Sequence, residues 1–104
     1  MIGRLGELDV SDVDALDGSK EFARMWFGPN GSVTCIVDPR RLDADPFVFG
    51  LAMVDCIKHA SKAYAQATGI VEEQALARIF EGFDGERAHP TDDIRQISPT
   101  RKSH

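Results

Sequence analysis

The sequence predicts an α+β fold, a β-hairpin followed by two antiparallel helices packed on one sheet face. Three observations predict it. Two β-prone runs, FARMWF at 22–27 and VTCIV at 33–37, flank the turn residues GPNGS. A long segment beginning at Pro46 carries apolar residues at helical spacing as far as Gly69. A second helical pattern starts near Val71, after a link short enough to make the two helices a hairpin.

The turn sets the register of the strands. Pro29 fixes φ for the second position of a type I turn, and Asn30 tolerates the third. Gly31 then supplies the positive φ of a bulge position, giving a three-residue loop with Gly28 facing Ser32. Phe27 falls opposite Val33, Met25 opposite Cys35 and Ala23 opposite Val37, so one side is wholly apolar. A four-residue loop would set Phe27 against Ser32 and break that side. The long helix is expected to cross this apolar face.

The other side carries Arg24, Trp26, Thr34 and Ile36. Leaving Trp26 or Ile36 in water forgoes about 1.5–3 kcal/mol each relative to burial. A lone hairpin is also marginally stable and has two open edges. A third strand from the N-terminal segment, cover by that segment, or a second copy of the chain would each answer both problems. Self-association is favoured, because the N-terminal segment is a poor strand. Arg24, Trp26, Thr34 and Ile36 are therefore the candidate interface, tryptophan and arginine being enriched at interface centres. The competing reading is intramolecular cover by the acidic lead-in.

That lead-in, residues 1–18, holds Glu7, Asp9, Asp12, Asp14 and Asp17 among Leu5, Leu8, Val10, Val13 and Leu16. The apolar positions fit neither period, so it reads as mostly irregular, with a short strand over residues 7–10 left open. The compact domain is expected over 19–93. A polar, basic tail with Arg95, Arg101 and Lys102 follows over 94–104 and is expected to be disordered.

Between hairpin and helix lies DPRRLDAD, a charged connection. Asp45 then Pro46 reads as an N-cap followed by proline at the first helical position, and Gly69 as a left-handed C-cap. Phe49, Met53, Cys56, Ile57, Ala60, Tyr64 and Ala67 form the apolar stripe. Phe47, Val48, Leu51, Ala52 and Val54 make the first half apolar almost all round, which calls for cover on several sides. Asp55, Lys58, His59, Lys62 and Gln66 fall on the solvated side. The second helix is expected from about Val71 to Gly82 or slightly beyond, with Glu72 and Glu73 suiting its N-terminal dipole. Leu76, Ile79, Phe80 and Phe83 face inward; Gly82 and Gly85 weaken the end, and His89-Pro90 stops it.

A chain of 104 residues is one domain, and 42% hydrophobic against 28% charged is a folding composition. Seventeen acidic against twelve basic residues, net −5, disfavour binding to nucleic acid or to an anionic membrane. The longest nearly continuous apolar run, 46–54, is far short of the roughly 20 residues of a membrane helix. The beginning, MIGRLGE, lacks the apolar run of an export signal, so a cytoplasmic chain is expected. Cys35 and Cys56 are then expected as free thiols acting as small buried hydrophobes.

Candidate chemistry is sparse. Asp55 and His59 stand four apart on one helical face, as a carboxylate and imidazole in general-base catalysis could. That pair is the alternative reading, a small-molecule binder or minor enzyme; the favoured reading of the two residues is an ordinary surface pair. Cys35, Cys56 and His59 could be soft metal ligands, but a structural zinc wants a fourth, and Cys56 and His59 diverge around the helix. The glycines sit at turns and helix ends, not in a phosphate-binding loop. No cofactor is expected.

The runs ASKAY at 60–64, LARIFEGFD at 76–84 and PTD at 90–92 resemble a family of short bacterial proteins known as a domain of unknown function. The likeness covers roughly residues 21–93. It implies a compact α+β domain without a described activity, and it carries over no catalytic or binding residue. The sequence thus points to a non-enzymatic interaction module or homodimer.

Overall fold

The backbone turns where its proline, asparagine and glycine residues direct it. The structure, a computed structural model, describes residues 6–91. β1 (Ala23–Phe27) and β2 (Val33–Val37) form a two-stranded antiparallel sheet. Ala23 pairs with Val37, Arg24 with Ile36, Met25 with Cys35, Trp26 with Thr34 and Phe27 with Val33. The Gly28 amide donates to the Ser32 carbonyl at 2.7 Å, and the Gly31 amide to the Gly28 carbonyl at 3.0 Å. Gly31 has φ +87°, so the three-residue loop and its register are as the sequence dictates. A Cβ in that left-handed conformation costs about 1–2 kcal/mol. Gly31→Ala is therefore expected to lower stability by that amount, read as a shifted denaturant midpoint.

Two 3₁₀ turns, Asp14–Leu16 and Pro39–Arg41, punctuate the lead-in and the charged connection. Residues 7–10 form no strand, and the sheet has two strands among the described residues. The basic tail expected over 94–104 lies outside the described residues.

α1 (Pro46–Thr68) begins with an Asp45 carboxylate accepting from the Phe47 amide at 3.1 Å. It ends at Gly69, φ +80°, whose amide donates to the Ala65 carbonyl. α2 (Glu72–Ala88) returns antiparallel, and Lys62 on α1 meets Glu72 at 3.0 Å. α2 runs well beyond Gly82, further than expected. Glycine costs about 1 kcal/mol relative to alanine in a helix, but neighbours one turn apart support this end. Arg78 pairs with Glu81 at 2.9 Å, Phe80 stands edge-on to Phe83, and Arg87 lies 5.9 Å from the Phe83 ring centre.

Little of the described chain is fully buried. Ser61 on α1, 1% exposed, and Ala75 on α2, 3% exposed, are the two residues that are. The covered side of α1 changes along its length: Val48, Phe49, Ala52 and Met53 are half-buried first, then Ile57, Ala60 and Ala65. The first group includes Phe49, which meets the hairpin base, and the second lies where α2 returns. Cys56 and Ala67, expected on one continuous inner stripe, are instead exposed, because the covered face rotates away from them; Tyr64 lies on that face but is 56% exposed, at the rim of an open cleft.

Candidate functional site

The hairpin presents two faces, and its sequence decides what each can do. On one, Arg24 pairs across the strands with Ile36, and Trp26 with Thr34. Arg24 is held from two sides: its Nε donates to Glu21 at 2.9 Å and its Nη1 to Glu7 at 3.0 Å. Glu7 thereby ties the lead-in to this face by charge, while Leu8, Val10, Val13 and Leu16 stay exposed. Ile36 is half-buried, and Trp26 is 38% exposed.

Beside Arg24 the charged connection folds into a network that sequence reading missed. Asp38 caps the 3₁₀ turn, accepting from the Arg40 amide at 3.1 Å. The Arg40 guanidinium grips the same carboxylate with Nε at 3.0 Å and Nη2 at 3.1 Å. Arg41 approaches Asp38 at 3.7 Å and donates to the Glu21 carbonyl at 3.2 Å. These residues, with Phe22 and Ile36, line an open cleft of about 230 Å³. The available signal was Asp38-Pro39, a cap followed by proline in the same order as Asp45-Pro46. Three arginines face Glu7, Glu21 and Asp38, so the network is balanced in charge and fastens the connection to the hairpin base.

The Arg40 guanidinium hydrogen-bonded to Asp38 holds its carboxyl below the ordinary value of 3.8. The hydrogen bond to Glu21 holds the Arg24 guanidinium above its own. A depressed carboxyl favours the folded state fully above the unfolded pKa. That contribution disappears as pH falls from about 3.8 through the lower folded value. Asp38 is half-buried, but its partners Arg40 and Arg41 are exposed, which keeps the effect small. An NMR titration should give Asp38 a lower midpoint than a free aspartate, and Arg40→Ala should move it back up.

The opposite face departs from expectation. Ala23, Cys35 and Val37 near the base are half-buried, but Met25, Phe27 and Val33 are exposed, Phe27 at 79%. No strand Cα lies within 8 Å of a helix Cα among the described residues. The join is through side chains, with the Phe22 ring edge-on to Phe49 at 6.2 Å. Burial on this side therefore falls away toward the hairpin tip. Phe47, Leu51 and Val54, expected to be covered, are likewise exposed, Phe47 at 69%.

Asp55 and His59 are both exposed, and no hydrogen bond or ion pair joins them. Neither lines the cleft at Arg24, nor a second one of about 340 Å³ formed by Tyr64, Thr68, Ile70, Ala75, Arg78 and Ile79. Cys35 is half-buried and Cys56 exposed, both as free thiols. Among the described residues no group of three histidine, cysteine or carboxylate side chains could hold a metal ion. No described helix is long and apolar enough to cross a membrane.

Hairpin, charged connection and helix pair together define a small α+β domain with open apolar faces. The chain belongs to the family described as Domain of unknown function (DUF5076), whose pattern it matches over residues 11–91. No curated protein matches it. Among solved structures it is similar to one described as a "putative pyruvate dehydrogenase from the photosynthetic bacterium Rhodopseudomonas palustrus CGA009". That match has 29% sequence identity and a TM-score of 0.63, covering 99% of this chain and 100% of the other.

Proposed function

We propose that the protein is a non-enzymatic interaction module that assembles as a homodimer through its hairpin. One observation carries this reading. Among the described residues of a single chain, Ala75 is the one hydrophobic residue fully buried, while Phe27, Phe47, Leu51 and Val33 stand exposed. A domain of this size ordinarily buries roughly 60–70% of its unfolded surface, and large exposed apolar patches mark association sites. Among the described residues the two-stranded sheet has two unpaired edges, which favour contact with another chain. The Arg24, Trp26, Thr34 and Ile36 face, the open edges and the Met25–Val33 side are the surfaces the hairpin offers.

Size exclusion with light scattering tests the reading. The expected mass is twice the 11.4 kDa of the chain. A mass of 11.4 kDa at every concentration would sink it.

A further inference from the structure

Resting on that homodimer reading, we infer where the second copy sits. The Met25, Phe27 and Val33 face of one hairpin packs on the Phe47, Leu51 and Val54 stripe of the other copy's α1, and the reverse.

The chain carries two bare apolar surfaces of complementary kind. Met25, Phe27 and Val33 lie on one side of the sheet by the observed register, and all are exposed. Phe47, Leu51 and Val54 recur at spacings of four and three, so they share one helical face, and they too are exposed. An α+β domain closes by laying such a helix stripe on such a sheet face. Within one chain the two do not meet, because hairpin and helix are joined at the Phe22–Phe49 end.

A two-fold axis brings these two kinds of surface together. Each copy owns one surface of each kind, so the reciprocal contact uses all four and forms a closed pair, not a filament. The six side chains expose on the order of 600 Å² per copy, against about 800 Å² per partner in a standard interface. None of the six carries a charge, so the centre of the contact desolvates no ion. The rival arrangements do less. Pairing along a strand edge leaves both surfaces in water, and stacking the Trp26 faces meets an Arg24 already engaged by Glu7 and Glu21. The sequence at 92–104, DDIRQISPTRKSH, is too polar to serve as the counterface.

Light scattering on three variants separates these arrangements. Phe27→Asp and Leu51→Asp should each weaken the dimer by about 100-fold or more, whereas Trp26→Asp leaves it intact. Disulfide trapping in the folded dimer covers the case in which a dissociated chain unfolds. With Cys35→Ser and Cys56→Ser, the pair Phe27→Cys and Leu51→Cys should give a covalent dimer under mild oxidation, and Trp26→Cys with Leu51→Cys should not. A dimer that survives both aspartate variants and breaks at Trp26→Asp overturns this placement while keeping the homodimer reading. Trapping within one chain, or only through position 26, also overturns it. A wild-type chain that is monomeric throughout removes both.

Discussion

Ala75→Asp is expected to take the helix pair apart. Ala75 lies in the first turns of α2 and is 3% exposed, and the only other fully buried described residue, Ser61 on α1, is equally small. The Ser61 hydroxyl is already spent, donating to the Lys58 carbonyl at 2.7 Å. A carboxylate at position 75 would lose most of its water, and the Arg78 guanidinium that lines the same cleft is already paired with Glu81. Leaving an uncompensated charge buried costs about 3–5 kcal/mol, a large part of the roughly 5–15 kcal/mol that holds a domain folded. The far-UV circular dichroism of Ala75→Asp should show lost helix or a sharply lowered denaturant midpoint. A wild-type midpoint would mean that the tightest point of the helix pair lies elsewhere.

Phe49→Ala should act more locally. The Phe22–Phe49 contact, centroids 6.2 Å apart at 85°, is the aromatic bond between hairpin and helices. Complete loss of a buried phenylalanine costs about 3–5 kcal/mol, and an edge-on pair contributes about 0.5–1.5 kcal/mol of such a total. Because both rings are half-buried, the expected loss is about 2 kcal/mol. Amide exchange should speed up in β1 and β2 while the α1 and α2 amides keep their protection. Adding Phe22→Ala should cost little more, since both substitutions remove one shared contact. Equal loosening of hairpin and helices would contradict the view that they meet through this pair.

Local rules made the hairpin and α1 legible. Pro29-Asn30-Gly31 left one register that gathered the apolar side chains, and Asp45-Pro46 with Gly69 bracketed α1 at both ends. What escaped depends on tertiary placement. Periodicity ranked Met25, Phe27 and Val33 with Ala23, Cys35 and Val37 as one face, but it carries no information on how far along the sheet a helix reaches. The same limit explains Cys56 and Ala67, because the covered side of α1 turns between its two neighbours. Gly82 and Gly85 argued for an early end to α2, and the contacts among Arg78, Phe80, Glu81, Phe83 and Arg87 outweighed them. Of the candidate interface, Arg24 was legible as a residue, but its partners Glu7 and Glu21, and the Asp38–Arg40 clasp beside it, required the fold. Asp38-Pro39 was a signal of the right kind read as ordinary connection.

The central claim is that one copy of this chain leaves its apolar surface unfinished and a second copy completes it. Thermal unfolding across a hundredfold range of protein concentration tests it most directly. Association with the folded state alone makes the melting temperature depend on concentration. A folded dimer should melt roughly 5–10 °C higher at the concentrated end, about 2.7 kcal/mol of mass action acting on a complex of this size. A melting temperature that stays constant over that range would contradict the account.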